Sequence, residues 1–496
     1  MLATARTFTL DGIVARPVRV EVDVHRGLPA FSMVGLPDTA VREARERVRA
    51  ALLNCGFEFP LHRIVANLAP ASLRKAGPGL DLPIAVALLV ASGQLSWKEL
   101  PGLAMVGELA LDGSVRPVAG ALAIAEAARE GGAEAIVVPV GNGPEAALAD
   151  AIDVVPLESL SQLTALAGGD LAPPRPEPMQ LQPAPGDSPD MADVRGQRHL
   201  RYALEVVAAG GHSLLMIGPP GAGKSLAASR LPSILPPLVP EEALEVARIA
   251  SACGHLGAHP FGGRPFRAPH HTVSAAGLVG GGNPPSPGEA TLAHRGVLFL
   301  DELCEFRRDS LEALRAPLET GWVSIARAGG GRRLPCRFML VAAANPCPCG
   351  RGEADPECTC EPLAARRYQG RLSGALADRI DILAAIRQPS AEEIGGEPGE
   401  GSASMRERVL AARERQEQRL GPGRCNAEMT PTEARDCLLA DSAAALLAET
   451  YSRRRLSARA HDRVLRLART VADLADAETI QRDQMAQALQ LRRRDQ

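Results

Sequence analysis

The chain has 496 residues, 46% of them apolar and 23% charged, with a formal net charge of −3. That length holds two to four domains, and the near-neutral balance excludes a global basic field, so any contact with nucleic acid must come from a local basic surface. Aromatic residues make up 3%, too few for base-stacking platforms to dominate such a contact. Met1–Leu10 lacks the apolar core of a signal peptide, and no run approaches the length of a membrane span. Ten cysteines without a secretory signal read as reduced thiols or metal ligands. The expectation is a cytoplasmic protein with no membrane partner.

Residues 1–170 read as one α+β domain. Val14, Val18, Val20 and Val22 alternate with polar neighbours, the pattern of paired strands. Asp38–Leu53 predicts an amphipathic helix with an aspartate cap. Ile64–Leu68 predicts a strand, Leu82–Ala91 a buried helix, and Met105–Val118 a hairpin turning at Asp112-Gly113. A helix over Ala119–Glu130 and a strand over Ala135–Pro139 follow. Two stretches resemble the proteolytic domain of Lon proteases: Lys75-Ala76-Gly77-Pro78-Gly79-Leu80-Asp81, and Gly107-Glu108-Leu109 through Arg116-Pro117-Val118-Ala119-Gly120. Gly79 stands where that family has its nucleophilic serine, and Leu122 where it has its lysine base. Covalent catalysis then has no agent. The resemblance implies a Lon-like fold, similar to domain 2 of ribosomal protein S5, in a structural or oligomerising role. Residues 171–190 are proline-rich from Leu171 to Pro189 and predict an extended tether that lets this domain move relative to the rest of the chain.

Residues 191–389 carry the chemistry. A helix is expected over Leu200–Ala208. The apolar run Ser213–Ile217 then leads into Gly218-Pro219-Pro220-Gly221-Ala222-Gly223-Lys224-Ser225 and a helical stretch to Arg230. Strand, glycine loop and helix form the context of a P-loop. Glycines let backbone N–H groups turn inward around phosphate oxygens, and the helix start favours the same anion. Lys224 supplies a compact charge for the β- and γ-phosphates and Ser225 a ligand for Mg²⁺. Only three lysines occur in the chain, Lys75, Lys98 and Lys224, and one stands where an ammonium fits and a guanidinium fits poorly.

Gly296–Leu300 is an apolar strand ending in Asp301-Glu302. Asp301 is expected to hold Mg²⁺ through water, and Glu302 to orient and deprotonate the attacking water. A third strand, Phe338–Ala344, ends at Asn345, either a sensor amide for the γ-phosphate or a turn residue before Pro346. Cys347, Cys349, Cys358 and Cys360 form C-x-C-x₈-C-x-C in a Pro/Gly-rich loop, a ligand set for tetrahedral Zn²⁺ or a group of free thiols. In Ser373–Asp381, Arg379 is the candidate arginine finger, acting on a neighbouring subunit's nucleotide in a ring or spiral. The competing expectation is a surface ion pair with Asp378 or Asp381.

Arg267-Ala268-Pro269-His270-His271-Thr272, Asn345-Pro346-Cys347-Pro348-Cys349-Gly350 and Leu372–Asp381 make the chain resemble the magnesium-chelatase-like AAA+ ATPases of the ComM group, also called YifB, over essentially its whole length. The resemblance implies a homo-hexameric, ATP-driven helicase that migrates DNA branches on recombination intermediates during natural transformation. Its implied partners are single-stranded and branched DNA and recombination proteins such as a recombinase. In this clade the glycine-rich segment Arg264–His294 is a loop or hairpin facing the ring's pore. A second hairpin is expected from Val323–Arg327 through Gly329-Gly330-Gly331 into Arg332–Leu334, where Arg327, Arg332 and Arg333 contact phosphates without reading sequence. His270 and His271 serve either DNA contact or local structure.

A flexible link, Gly395–Gly401, leads to a helical region over 404–496, with helices at Met405–Arg419, Thr432–Leu439, Asp441–Arg453, His461–Leu474 and Arg482–Leu491. By the resemblance it is a lid of the magnesium-chelatase C-terminal type, with Arg459 as its second sensor unless Arg459 is simply on a solvated face. The fold class is α/β: an AAA+ P-loop core, an N-terminal Lon-like α+β domain and a helical lid, with ATP, Mg²⁺ and Zn²⁺ as cofactors. The alternative function is a magnesium-chelatase-like motor that remodels a protein or porphyrin-metal substrate; Gly79 disfavours an ATP-dependent protease.

Overall fold

In a computed structural model of the chain, residues 1–180, 189–256, 261–282, 286–325, 331–352, 355–371, 376, 379–454 and 457–492 are described. They form two compact units. The first comprises residues up to 180 together with 240–256, 261–263 and 286–287, and the second comprises 189–239, 264–282 and the described residues from 288 onward. No helix among the described residues is long and apolar enough to cross a membrane.

The first unit is built on a seven-stranded mixed sheet in the order Ala30–Val34, Arg63–Ala69, Val14–His25, Leu2–Asp11, Leu103–Met105, Ala135–Pro139, Asp153–Leu157. Leu2–Asp11 and Val14–His25 pair antiparallel over their full length. The predicted alternation holds there, with Val18, Val20 and Val22 buried, while Val14 sits at the turn and is exposed. The helix Thr39–Asn54 is capped by Asp38, whose carboxylate accepts from Val41 N–H at 2.8 Å. The helix Asp81–Ala91 is buried on almost every residue, as its unbroken apolar sequence requires.

The expected hairpin over Met105–Val118 is shorter than predicted. Leu103–Met105 are buried and join the sheet parallel to Ala135–Pro139, so the hairpin is only Glu108–Leu109 with Val115–Arg116. Gly107 marks the break, because a Cβ there would lie 2.7 Å from Val115 Cγ1.

Two features of this unit lie outside local pattern. The helix Pro240–Ala252 follows the P-loop helix in sequence, yet it packs in the first unit. Arg248 forks onto the Glu126 carboxylate at 2.7 and 3.0 Å, and Gly120 N–H donates to Ser251 O at 2.8 Å. The first half of the proline-rich segment also lies along this unit: Arg175 pairs with Asp153, and Met179 N–H donates to Pro144 O at 3.1 Å. The rest of the expected tether, 181–188, lies outside the described residues.

The second unit is mixed α/β around a five-stranded parallel sheet in the order Phe266–Arg267, Val297–Leu300, Met339–Ala344, Leu214–Ile217, Ile382–Ala385. The central strands are continuous apolar runs because both faces are covered. The edge strand Phe266–Arg267 comes from the segment expected to be an insertion, so that segment starts only after Arg267. The C-terminal helices Ser402–Leu420, Ala458–Leu474 and Arg482–Leu491 share one core with the helix Arg198–Gly210: Val409, Ala412, Val464, Leu467 and Ala488 cluster with Leu204 and Val207. Gln416 donates to Ala209 O at 3.0 Å inside that core. The helix expected over Thr432–Leu439 stops at Arg435, and Leu439 instead bridges to Ile480.

Candidate functional site

A parallel sheet delivers the carboxyl ends of all its strands to one edge, where crevices form. Register fixes which residues emerge together. Ile217 is level with Ala344, and Leu300 with Ala342, so Gly218, Asn345 and Asp301 leave the sheet side by side. Gly218 must be glycine: an added Cβ would lie 2.3 Å from Ile386 O. Gly221 and Gly223 have φ of +76° and +82°, a region glycine enters freely.

Lys224 opens the helix Lys224–Arg230 and folds back over the loop. Its Nζ donates to Gly218 O at 2.7 Å, Pro219 O at 2.8 Å and Asn345 Oδ1 at 3.2 Å. Burial pushes this ammonium down from the usual lysine range, and the charge of Asp301 pulls part of the way back. Ser225 Oγ lies 2.5 Å from Asp301 Oδ2. Two hard oxygens at the mouth of a phosphate loop form a donor set suited to Mg²⁺. Gln197, almost buried, ties the loop to the next strand by donating to Ala222 O at 3.4 Å and Arg387 O at 2.5 Å.

Glu302 adopts φ +51°, ψ +46°, a sparsely populated conformation for a non-glycine residue and one that clusters at functional positions. Its carboxylate meets His271, with Nδ1 3.2 Å from Oε2. His271 is carried there by the chain leaving the edge strand, and Val273 O accepts from Ser310 Oγ at 3.0 Å just beyond. The His270 ring lies 4.1 Å from the His271 ring and bonds Thr272 Oγ1 at 2.9 Å. Of the two histidines weighed for DNA contact, His271 is therefore engaged with Glu302, while His270 stays exposed.

At the opposite edge of the sheet, Asp381 accepts from Ser213 N–H at 3.1 Å, with His212 Nδ1 at 3.6 Å and Arg463 Nε at 3.4 Å. Burial pushes the carboxyl up, but the His212 hydrogen bond, the Arg463 guanidinium and the Ser213 N–H hold it net well below the usual carboxylate range.

Cys347, Cys349, Cys358 and Cys360 come together, with all four Sγ atoms within 4.8 Å of one another. Cys347 lies 3.3 Å from Cys349 and 3.8 Å from Cys358, and Cys349 lies 3.6 Å from Cys358. Sulfurs arranged tetrahedrally at the Zn–S distance of about 2.3 Å have edges of about 3.8 Å. None of the four is in a disulfide, and Gly352 N–H and Cys349 N–H donate to the sulfurs of Cys347 and Cys360 at 3.2 and 3.3 Å.

Three family models match the chain. The magnesium chelatase subunit ChlI model matches residues 190–394, a second model for subunit ChlI matches 20–142, and its C-terminal model matches 399–492. The YifB protein of Escherichia coli is 43% identical over 99% of this chain and 97% of its own. The competence protein ComM of Haemophilus influenzae is 42% identical over 96% and 95%. A Mycobacterium tuberculosis protein is 44% identical over 99% of both chains. The chain belongs to the YifB/ComM family of magnesium-chelatase-like AAA+ proteins.

In this YifB/ComM chain the remaining site residues fall in distinct places. Arg379 is nearly buried and pairs with Glu319 of the helix Arg315–Thr320. Of the two expected partners, Asp381 faces Ser213, His212 and Arg463, and Asp378 lies outside the described residues. Arg459 is exposed in the first turn of the helix Ala458–Leu474, and no hydrogen bond or ion pair joins it to the P-loop among the described residues. Trp322–Ile325 and Arg332–Pro335 form the expected antiparallel hairpin. Arg333 is exposed and lies over the Trp322 ring at 4.9 Å, whereas Arg332 is half-buried. Arg327, Gly329 and Gly330 lie outside the described residues. Sequence reasoning missed His271 as the partner of Glu302, Glu319 as the partner of Arg379, and Arg463 as the partner of Asp381; each pair joins residues far apart in the chain.

Proposed function

We propose that this YifB/ComM chain hydrolyses ATP and couples hydrolysis to movement on single-stranded or branched DNA, as a cytoplasmic motor for recombination during natural transformation. The observation that carries the ATPase reading is the meeting of Lys224, Ser225, Asp301 and Asn345 at one edge of a parallel sheet. The backbone from Gly218 to Gly223 cradles the phosphates, and Lys224 leaves its loop carbonyls to neutralise them. Ser225 and Asp301 would hold Mg²⁺, which spreads the charge developing on the transferred phosphoryl group. Asn345 senses that group, and Glu302 takes the proton of the attacking water once His271 lets it turn.

The DNA reading draws on the competence protein ComM among the relatives and on the Arg332–Arg333 strand of the hairpin, whose guanidinium groups suit phosphate contacts. Arg327 belongs to the same proposed surface by sequence. The active form in this reading is a homo-hexamer in which Arg379 serves the neighbour's nucleotide, with recombination proteins such as a recombinase as further partners. Residues 1–170 keep the Lon-like reading without its chemistry: Leu122 is fully buried, and Gly79 packs against Val106 and Val118. The helices from 404 onward act as the lid, with Arg459 as second sensor. The four thiols hold Zn²⁺, for which their number and spacing fit.

The test is ATP hydrolysis without DNA and with single strands, duplex and a four-way junction, using Glu302→Gln as blank. Stimulation by single-stranded or branched DNA supports the reading. A rate unchanged across all DNAs in active, assembled protein refutes it in favour of a chelatase-like motor working on a protein or porphyrin-metal substrate.

A further inference from the structure

The cysteine loop begins where the sensor strand ends. Met339–Ala344 passes into Asn345, and Cys347 follows two residues later. Asn345 Oδ1 accepts from Lys224 Nζ at 3.2 Å, which is one link between the loop and the P-loop. The second link is steric. Gly350 is buried with φ +87°, and a Cβ there would lie 2.7 Å from both Cγ and Cδ of Pro220, the third residue of the P-loop. Two carbons that close leave no room for a side chain, so the cysteine loop is seated directly on the phosphate loop.

Among the described residues, the other tie from outside the loop is Gln369 Nε2, which donates to Pro346 O at 2.9 Å. Among the described residues from 346 to 360 there is no helix or strand. The backbone bonds are local: Gly350 N–H to Cys347 O at 2.9 Å, Asp355 N–H to Gly352 O at 3.1 Å and Cys358 N–H to Asp355 O at 2.9 Å. Arg351 and Glu357 pair across the loop, but both are exposed, and such pairs are weak. Among the described residues, the tie beside that pair between the two Cys-x-Cys arms is the sulfur cluster itself. Four closed thiolate ligands with no open position are the signature of a structural ion rather than a catalytic one.

We propose that Zn²⁺ on Cys347, Cys349, Cys358 and Cys360 buckles the nucleotide site. Closing the cysteine loop presses Gly350 onto Pro220 and holds Asn345 toward Lys224, so metal occupancy sets ATP affinity. This rests on the nucleotide reading above and adds a control to it. Both ends of the buckle are in one compact unit, so it acts within a single chain.

The test uses the full-length protein. Metal content is measured by elemental analysis, cobalt substitution by its thiolate charge-transfer absorption, nucleotide affinity with a fluorescent ATP analogue, and folding by circular dichroism. Wild type is expected to carry about one zinc per chain and to give a tetrahedral cobalt spectrum. Cys358→Ser should lose the metal and bind nucleotide about 10- to 100-fold more weakly, the scale on which supporting shells tune a site. Gly350→Ala should keep the metal and still lose affinity, because it unseats the loop without touching a ligand.

A folded Cys358→Ser protein that loses zinc but binds ATP as wild type does overturns the proposal. If Cys358→Ser does not fold, Gly350→Ala decides, and unchanged affinity with zinc retained overturns it equally. Wild type that binds ATP but takes neither zinc nor cobalt sinks the buckle alone. Wild type that takes cobalt but binds no nucleotide sinks the nucleotide reading, and the buckle with it.

Discussion

His271 and Glu302 offer the sharpest perturbation. The 3.2 Å contact between them would be worth about 5 kcal/mol as a fully charged pair at an effective dielectric of about 20, before screening. The side chains are 30% and 55% exposed, which places the pair with screened surface contacts worth about 0.2–1 kcal/mol. His271→Ala should therefore leave the melting temperature within about 4 °C of wild type.

Its effect belongs in the kinetics. If the contact holds the Glu302 carboxylate away from water, releasing it raises the DNA-free ATPase rate by at most about 1.4- to 5-fold, the same energy expressed as a rate. It also narrows the ratio of DNA-stimulated to basal rate, because part of the release has already happened. Glu302→Gln moves the opposite way, losing about 10²- to 10⁴-fold as a general base is removed. The assay is steady-state phosphate release with and without single-stranded DNA. A His271→Ala rate that is unchanged, or that falls tenfold or more like a weak Glu302→Gln, would refute the restraint.

The same geometry sets other outcomes. Lys224→Ala should abolish binding of a fluorescent ATP analogue, whereas Glu302→Gln should bind it normally and release phosphate slowly. Asp381 titrates below the ordinary aspartate range in the folded state, so its ionised form contributes stability above about pH 4 that is lost as pH falls toward the depressed value. Asp381→Asn should accordingly cost about 3 kcal/mol near neutral pH, and progressively less below pH 4, in denaturant melts across that range. Arg333→Ala should weaken DNA binding evenly across sequences and lower the slope of log affinity against log salt by about 0.7–0.9; an unchanged slope removes Arg333 from the phosphate contacts.

Much of the nucleotide site was legible in the sequence because parallel strands announce themselves. Leu214–Ile217, Val297–Leu300 and Met339–Ala344 are short apolar runs, and each ends abruptly in the residues that carry chemistry. A run buried on both faces has no polar alternation to blur its end. The edge strand Phe266–Arg267 was hidden for the opposite reason: two residues carry no periodicity. Helix Pro240–Ala252 was not among the expected elements, and nothing local says that its Arg248 will answer Glu126, 122 residues away. The partners of Glu302, Arg379 and Asp381 fall in the same class. Charge pairing at such separations is decided by which strand edges the fold brings together, and that order is written in topology rather than in spacing.

Topology also constrains how the proposed ring must assemble. Arg379 O accepts from Ser213 Oγ at 3.0 Å, at the amino end of the P-loop strand. Ser213 and Gly218 are five residues apart on an extended chain, about 16 Å at the rise of a strand. Arg379 is thus rooted on the edge of the sheet opposite the phosphates of its own chain, and its guanidinium is turned to Glu319. An isologous contact would need the Ser213 edge and the Gly218 edge within one self-complementary patch, and they lie at opposite ends of the strand. In the proposed ring a heterologous contact, with the Ser213 edge of one subunit over the Gly218 edge of the next, would deliver Arg379 to a nucleotide, and such contacts close into rings or run on as helices. In that proposed ring, the exchange of Glu319 for a phosphate would be the local step that assembly drives.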